Sequence, residues 1–452
     1  MKLKLTALSL AMLPAMSMAA VNIDANANSQ KDDSIIVVYK DSATKMDRRA
    51  ARSIVRGKIS DMNRDEVDDK YRHLMKGRLA QYKINKGSVK DALAKLRKNP
   101  AVLYAEPDYI VKAAVTPDDS RYSELWGMHN TGQTGGTDDA DIDAPEAWDI
   151  STGSRDVIVG VIDTGVDYSH PDLAANMWVN PNEIAGDGVD NDGNGYVDDV
   201  HGINAITNSG DPMDDQGHGS HVSGTIGAAG NNGEGVVGVN HDVSIIGCKF
   251  LDSSGSGSTS DALKCIDYFV ALKNAGVDVK ATNNSWGGGG SSQAMIDALT
   301  ASEAADILFV AAAGNGAYDN DASPSYPASY EHDTVMAIAS TTHTDSMSGF
   351  SQWGLTSVDM GAPGSDILST VQGGGYASYS GTSMATPHVT GAAALAWSVN
   401  PDLTAVEMKA LLMNSGDDNA ALAGKTVSGK RLNIHNALND ADPTPGFKLS
   451  VS

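Results

Sequence analysis

Three short segments, far apart along the chain, carry side chains that together could perform acyl transfer. Residues 381–388 read GTSMATPH and place Ser383 just ahead of an alanine-rich run that is predicted to be helical. A serine hydroxyl is a weak nucleophile, so it needs a base to accept its proton and donors to stabilise the oxyanion. Because a helix N-terminus offers unpaired N–H groups and a partial positive charge, we predict nucleophile chemistry at Ser383.

Two further segments supply candidates for the base and its partner. His218 lies in residues 217–225, GHGSHVSGT, and imidazole is the usual general base near neutral pH. Asp163 ends the apolar run 157–162, which is typical of a buried strand and would put its carboxylate at the carboxyl edge of a sheet, where it could orient the imidazole. Each segment alone has an ordinary alternative, such as a metal pair or helix cap at His218 and His221, or a turn aspartate. The combination favours catalysis.

The order aspartate, histidine, serine is that of subtilisin, whereas chymotrypsin and the α/β-hydrolases use other orders. On these segments the chain resembles the subtilisin-like serine peptidases from about residue 116 to residue 439, and more weakly their propeptide before that. The resemblance implies a subtilisin-like doubly wound parallel sheet with helices on both faces, preceded by a small α+β ferredoxin-like propeptide. It also implies peptide-bond hydrolysis through an acyl-enzyme, and no triad position is substituted.

Asn315 follows the apolar run 307–312 and is a candidate for stabilising negative charge. The resemblance makes its amide the side-chain donor of an oxyanion hole, with the Ser383 N–H as the second donor. Taken alone, the position favours a turn asparagine that satisfies its own backbone, and only the triad favours the donor.

Two glycine-rich segments and one tyrosine-containing turn are identified by the resemblance as the edges and pocket of a substrate cleft. Missing side chains would let a peptide pair with the backbone as an added strand, although Gly/Ser runs are also typical of flexible loops. No charged residue occurs in these segments, which favours an apolar or aromatic residue before the scissile bond. The resemblance also implies a cis Tyr326–Pro327 bond, which sequence alone does not favour. The candidate residues are Gly255, Ser256, Gly257, Ser285, Trp286, Gly287, Ser325 and Tyr326.

An acidic loop matches the first half of an EF-hand. Residues 190–195 read DNDGNG, with oxygen ligands at alternate positions and a glycine for the bend. The twelfth position is His201 rather than glutamate, so this is not an EF-hand and a later aspartate must complete the shell. An acidic turn without metal is the alternative, but so many neighbouring carboxylates would repel one another, which favours structural Ca²⁺. The candidate ligands are Asp187, Asp190, Asp192, Asn194, Asp198 and Asp199.

A second calcium site is implied by the resemblance alone. Asp119, Asp172 and the loop of residues 230–233 match positions that hold a structural ion in the family, with Asn232 as the candidate ligand and Asn231 as the alternative. An aspartate that follows Pro171 in a turn needs no metal, so the ordinary alternative stays open at Asp172.

The 452 residues are too many for one small domain, and composition divides them. Residues 1–20 combine two lysines, a short apolar core and a small-residue end, which favours a secretory signal over a buried helix. We predict a propeptide over 21–114, a peptidase domain over 115–440 and a short tail over 441–452. The propeptide segment carries 20 basic against 13 acidic residues, and residues 115–452 carry 11 against 44, so the two should attract one another. Self-cleavage is expected between about Lys112 and Thr116, with Ala114–Val115 as the favoured bond, against the alternative of a permanently attached accessory domain.

Alternating strand-like and helical runs predict a parallel sheet covered by helices on both faces. The predicted strands cover residues 157–162, 243–250, 279–283, 307–312 and 334–339. The predicted helices cover 260–273, 293–303, 387–398 and 404–413, with another beginning near His218. In the propeptide the pattern predicts strands at 34–39 and 101–104 and a helix at 89–98. Cys248 ends a strand and Cys265 lies in the next helix, which leaves both a disulfide and two buried thiols open.

We therefore expect a secreted monomer without a membrane anchor that cleaves proteins and peptides with broad specificity. Its propeptide would act as an intramolecular chaperone and inhibitor, and the acidic body argues against nucleic acid as a partner. A narrow processing protease would carry acidic residues in the pocket segments, and a non-catalytic calcium-binding scaffold would carry a broken triad. The sequence has neither feature.

Overall fold

The computed structural model describes residues 30–55, 58–59, 71, 73–84, 89–109 and 116–441. The predicted signal segment, the predicted cleavage bond Ala114–Val115 and the tail beyond residue 441 lie outside the described residues. The described residues form two compact units, one within 30–109 and one within 116–441.

The smaller unit is an antiparallel sheet with helices. Its elements in chain order are β1 (Gln30–Tyr39), α1 (Lys45–Val55), β2 (Lys58–Ile59), a 3₁₀ turn (Met75–Gly77), β3 (Leu79–Lys83), α2 (Val89–Leu96) and β4 (Val102–Tyr109). The strand order β2-β3-β1-β4 is that of the predicted ferredoxin-like fold. Leu93 and Leu96 of α2 share one core with Ile35 and Val37 of β1. Helix α1 was not predicted because it buries little beyond Ala51.

The larger unit is built on a mainly parallel sheet. Its strands are β5 (Gly153–Asp163), β6 (Gly202–Asn204), β7 (Asp242–Lys249), β8 (Val279–Asn284), β9 (Leu308–Ala312), β10 (Val335–Thr341), β11 (Met360–Pro363), β12 (Ile367–Val371), β13 (Gly375–Tyr379), β14 (Asp417–Asp418) and β15 (Lys430–Arg431). The order in the sheet is β14-β15-β11-β10-β9-β8-β5-β7-β6, and only the β14–β15 pair is antiparallel. Strands β12 and β13 form a separate hairpin. The short edge strands and the hairpin were not predicted, because two to five residues carry little periodic signal.

Helices cover both faces of this sheet, which confirms the predicted doubly wound architecture. They are α3 (Ala144–Trp148), α4 (His218–Gly227), α5 (Thr259–Asn274), α6 (Gln293–Ala304), α7 (Thr382–Val399), α8 (Ala405–Ser415) and α9 (Ile434–Ala441), with 3₁₀ turns at Tyr122–Glu124 and Ala174–Asn176. Strand side chains alternate between the faces: Val159 and Val161 join a core with α4 and α7, whereas Ile162 joins a core with α5 and α6. Among the helices of the described residues, none combines the length and the apolar character needed to cross a membrane.

Helix α7 is buried from Thr382 to Trp397 with the exception of Ser383. Its alanines remove bulk and let the helix lie close to the sheet. The helix predicted to begin at Pro387 therefore begins five residues earlier, at Thr382, and this places Ser383 in its first turn.

Cys248 at the end of β7 and Cys265 in α5 form a disulfide, which decides between the two alternatives left by the sequence. Both cysteines are fully buried. The bridge spans the exposed stretch of residues 252–260.

Candidate active site

Three neighbouring parallel strands end where the predicted site residues lie. Strand β5 ends at Asp163, β8 is followed by Ser285, and β9 is followed within three residues by Asn315. Strand β8 pairs with β5 on one side and with β9 on the other. Because parallel strands present their carboxyl ends at the same edge, the fold gathers these residues at one edge of the sheet.

A direct hydrogen bond joins His218 to Asp163. The distance from His218 Nδ1 to Asp163 Oδ1 is 2.8 Å. Asp163 is fully buried and also accepts the N–H of Thr164 at 2.7 Å, whereas about a quarter of the His218 side chain, 24%, is exposed. A carboxylate acceptor at Nδ1 keeps the proton on that nitrogen and leaves Nε2 as the lone pair that can take up a proton.

Helix α4 reaches the end of β5 because the residue after His218 is a glycine. A Cβ on Gly219 would lie 1.9 Å from the carbonyl oxygen of Gly165. Thr164 Oγ1 accepts the N–H of Gly219 at 2.9 Å and donates to Asp214 at 2.9 Å. Asp214 also accepts the N–H of Ser220 in the first turn of α4 at 3.0 Å, and those of Gln216 and Gly217 just before the helix. This network was not predicted.

The surroundings of His218 act on its basicity in opposite directions. Burial lowers the pKa of His218, but the negative charge and the hydrogen bond of Asp163 outweigh this effect. The charge of Asp214 adds to them, and the net pKa of His218 is raised above its ordinary value. The imidazole is therefore a stronger base than a free histidine.

Ser383 and Ser285 are joined by a reciprocal pair of hydrogen bonds. In a regular helix the N–H of residue 387 would donate to the Ser383 carbonyl, but Pro387 has no N–H. Ser285 Oγ takes that place and donates to the carbonyl at 2.8 Å, while Ser383 Oγ donates to the Ser285 carbonyl at 3.0 Å. Among the described residues, the Ser383 hydroxyl makes its hydrogen bond to the Ser285 carbonyl and makes none to His218.

The Asn315 side chain is held by the residue that precedes the serine. Its Oδ1 accepts the Thr382 N–H at 2.9 Å and the Thr382 hydroxyl at 3.0 Å, which leaves its NH₂ group as a donor. A Cβ on Gly381 would lie 3.4 Å from Asn315 Nδ2 and 3.6 Å from the Ser383 backbone nitrogen, so both predicted donors flank one point. Thr382 was not predicted to have a role of its own, since it reads as a spacer in the motif.

Two of the three predicted substrate segments contact each other directly. The segment of Ser285, Trp286 and Gly287 follows β8, and the N–H of the next residue, Gly288, donates to the carbonyl of Tyr326 at 3.0 Å. The Tyr326–Pro327 bond is cis.

The third segment lies beyond the end of β7. Gly255 and Ser256 are exposed at the tip of a turn that is closed by a bridge between Leu251 and Gly257. Phe250, at the base of this turn, makes an edge-to-face contact with Trp286 at 4.9 Å between ring centroids. This ring contact connects the segment to the end of β8.

The acidic loop (residues 180–199) brings some of the predicted calcium ligands together. Carboxylate oxygens of Asp192, Asp199 and Glu183 lie within 4.8 Å of one another. Asn194 Nδ2 donates to Asp192 at 3.1 Å and to Asp199 at 2.8 Å. Burial, with the nearby charges of Asp192 and Glu183, raises the pKa of Asp199 to about 6. Glu183 was not predicted, because it lies seven residues before the recognised motif.

Other predicted ligands of the acidic loop bind backbone N–H groups and do not belong to that cluster. Asp190 accepts the N–H of Gly193 at 2.7 Å. Asp198 accepts the N–H of Gly186 at 2.8 Å, and Asp187 accepts that of Val189 at 2.8 Å. These carboxylates shape the loop.

The residues of the second predicted calcium site are also close together. Asp119 Oδ2 accepts the N–H of Asn231 at 2.9 Å, and Asp172 Oδ1 accepts from Asn232 Nδ2 at 2.7 Å. Asp119 Oδ1 is buried and has no hydrogen-bond partner among the described residues. Burial, with the charge of Asp172, raises the pKa of Asp119 despite its backbone hydrogen bonds. A buried carboxylate oxygen without a donor fits a hard cation.

His221 is engaged away from His218. Its Nε2 donates to the carbonyls of Ile367 at 2.9 Å and Ala377 at 3.1 Å, and its ring stacks on Tyr379 at 4.4 Å. Burial lowers its pKa to about 3. These contacts give no support to a metal pair formed with His218.

Comparison with protein families finds two matches along the chain. Residues 154–431 match the subtilase family, and residues 19–108 match the fervidolysin N-terminal prodomain. Since the first match covers more than half of the chain, the chain belongs to the subtilase family. This confirms the family resemblance predicted from the three motifs.

Individual relatives agree with this placement. The chain is similar to an extracellular protease of Xanthomonas campestris, with 34% identity over 96% of this chain and 76% of the relative. It is 37% identical to subtilisin-like protease 1 of Plasmodium berghei over 62% of this chain, and it spans about half, 49%, of that relative's length. Among solved structures, a protease of Pseudoalteromonas arctica matches with a TM-score of 0.59 and 26% identity, covering 73% of this chain and 100% of the other.

Proposed function

We propose that the protein is a serine endopeptidase that hydrolyses peptide bonds through an acyl-enzyme. The observation that carries the proposal is the 2.8 Å hydrogen bond between His218 and Asp163 at the sheet edge. Ser383 is hydrogen-bonded to Ser285, which lies at the same edge. Membership of the subtilase family supports the same reaction.

In the proposed mechanism, binding of substrate is accompanied by rotation of the Ser383 hydroxyl from Ser285 to His218. Ser383 Oγ attacks the peptide carbonyl while His218 Nε2 takes its proton, and His218 then gives that proton to the leaving amine. Asp163 holds the imidazole and stabilises its charged form. A water molecule, activated by the same imidazole, then releases the acid product from Ser383.

The oxyanion that forms during attack would be stabilised by two donors, Asn315 Nδ2 and the Ser383 N–H. Their position around one point near Gly381 supports this role. One preorganised donor of this kind contributes about 2.7–4 kcal/mol to lowering the barrier, a value known from subtilisin itself.

The substrate would pair as an added strand with two backbone edges, at Gly255–Gly257 and Ser285–Gly287. The aromatic rings of Trp286 and Tyr326 and the lack of charged residues in these segments support an apolar or aromatic side chain before the scissile bond. We propose broad specificity on this basis.

Structural Ca²⁺ would be held in two places. Glu183, Asp192 and Asp199 supply clustered carboxylates in the acidic loop. Asp119 with Asp172 supplies a second acidic pair, in which one buried oxygen has no hydrogen-bond partner among the described residues. When bound, the cation would neutralise these carboxylates and hold the surrounding loops in place, with no part in the chemistry.

We further propose synthesis as a zymogen, with export directed by residues 1–20, and a monomer as the mature form. The prodomain match and the ferredoxin-like unit support an inhibitory propeptide. Relatives named extracellular and cell wall-associated proteases support export. Cleavage is proposed at the Ala114–Val115 bond, which would separate a basic segment from an acidic body.

The test combines an active-site serine probe with product analysis. A fluorophosphonate should label the wild-type protein and leave Ser383→Ala unlabelled, while N-terminal sequencing of the secreted product should find Val115. Labelling of both proteins, or of neither, would contradict the assignment and favour a non-catalytic protein. A peptide library that is cut only beside basic residues would favour a narrow processing protease.

A further inference from the structure

The loop that carries Asn315 is hydrogen-bonded on both sides by one residue that the mechanism above does not use, once through its backbone and once through its side chain. The backbone N–H of Gln352 donates to the carbonyl of Gly314 at 2.9 Å. Its side-chain Oε1 accepts the N–H of Gly316 at 3.0 Å. Gln352 therefore binds the residue before Asn315 and the residue after it.

Gly314 leaves the room that this amide occupies, because a Cβ there would lie 2.2 Å from Gln352 Oε1. Gly314 also has a φ of +115°, which disfavours other residues. A Cβ on Gly316 would lie 2.4 Å from Tyr318 Cε1 and 3.2 Å from Gln352 Oε1, so Gly316 lies between that ring and the amide.

Gln352 is itself oriented by a second buried amide. Its Nε2 donates to Asn320 Oδ1 at 2.6 Å, and Asn320 Nδ2 donates to the carbonyl of Ala313 at 3.0 Å. Gln352 and Asn320 are 3% and 1% exposed, so water does not compete for these bonds. The Gln352 and Asn320 amides therefore connect the Asn315 loop to Ala313, the residue that directly follows β9.

We propose that Gln352, oriented by Asn320, is a positioning residue for the oxyanion donor Asn315. Gln352 sets the main chain on either side of Asn315, while Thr382 holds the side-chain carbonyl of Asn315. A donor stabilises the transition state only if it is already aimed at the developing charge, so the aim of Asn315 depends on Gln352. The inference rests on the proposed function of Asn315.

The test is a double-mutant cycle on the mature enzyme. Gln352→Met keeps the length of the side chain and removes its amide, Asn315→Ala removes the donor, and both are combined. Asn419→Leu is the control, because it also removes a buried amide that binds a backbone carbonyl, that of Asp345, away from the Asn315 loop. Each kcat is normalised by active-site titration and measured on a chromogenic peptide.

We expect Asn315→Ala to lower kcat about 10²–10³-fold and Gln352→Met to lower it roughly 10-fold, with KM within about twofold. In the Asn315→Ala background the Gln352→Met change should lower kcat no further, and Asn419→Leu should leave kcat unchanged. Asn320→Ala should reproduce the loss and be non-additive with Asn315→Ala, which keeps the test usable if Gln352→Met does not fold.

An equal loss from Gln352→Met in both backgrounds, or no loss at all, would overturn the positioning role and leave the proposed reaction intact. An Asn315→Ala enzyme with wild-type kcat would instead overturn the oxyanion assignment and the positioning role with it.

Discussion

The edge formed by the carboxyl ends of β5, β8 and β9 and the acidic loop both gather polar side chains, but they do so in different ways. At the sheet edge, Asp163, His218 and Ser383 come from segments tens to hundreds of residues apart, and each is held by a partner from another element. In the acidic loop, the carboxylates of Glu183, Asp187, Asp190 and Asp198 accept N–H groups of the same loop, two to fifteen residues away. The sheet edge therefore depends on contacts between distant elements and the loop largely on contacts within one segment, and we predict that changes at the edge affect chemistry whereas changes in the loop affect stability.

The largest expected effect lies at the sheet edge. Ser383→Ala should lower kcat about 10⁶-fold, the magnitude known from subtilisin itself, because the nucleophile is lost. When both proteins are compared in the same propeptide-containing or propeptide-free form, the thermal unfolding midpoint should change little, since only one hydroxyl hydrogen bond disappears. Hydrolysis of a chromogenic peptide and calorimetry check the two expectations. Residual activity above about a thousandth of wild type would contradict the assignment of Ser383 as the nucleophile, and with it the contrast between the sheet edge and the acidic loop.

The next effect tests the partner of the imidazole. Asp163→Asn should lower kcat about 10⁴-fold, because an amide accepts and donates differently from a carboxylate and favours the wrong imidazole tautomer. The loss should be smaller than that for Ser383→Ala when both are measured on one substrate. An Asp163→Asn enzyme as active as wild type would contradict the geometry at the end of β5.

The acidic loop should respond in stability and not in chemistry. Chelation should lower the unfolding midpoint, since a cation at 100 times its Kd stabilises the folded state by about 2.7 kcal/mol, while kcat of the folded enzyme at 25 °C should not change. Glu183→Gln combined with Asp192→Asn should reduce the chelator-dependent shift, and the exposed Asp402→Asn should not. If chelation left the unfolding midpoint of the wild-type enzyme unchanged, the proposal of a bound cation would be contradicted at both sites.

The smallest expected effect is a shift in the pH dependence of activity, and it tests the influence of Asp214 on the pKa of His218. Asp214 raises the pKa of His218, so Asp214→Asn should lower it. Because the base must be neutral, kcat/KM falls as the pH drops through the His218 pKa, and the variant should therefore keep its activity to lower pH. The midpoint of the acid limb of the pH profile is the measurement. A midpoint that moves upward would contradict the sign.

Much of the fold could be predicted from the sequence, because buried parallel strands read as apolar runs and the helices between them are long. The Asp163, His218 and Ser383 segments could be singled out because each combines a reactive side chain with residues that shape its backbone. Gln352 and Asn320 could not, since a buried amide has no sequence pattern and their role depends on two loops meeting. Glu183 was missed for a related reason, because the loop folds back on a residue outside the motif. The disulfide stayed open because a spacing of 17 residues does not fix the distance between β7 and α5.

The Cys248–Cys265 bridge has a consequence for the survival of the molecule among proteases, including its own copies. The stretch it encloses is solvent-exposed and contains the candidate substrate edge at Gly255–Gly257, so it is a natural place for a nick. A single cut there would leave both fragments covalently tied, and they would separate on a gel only after reduction.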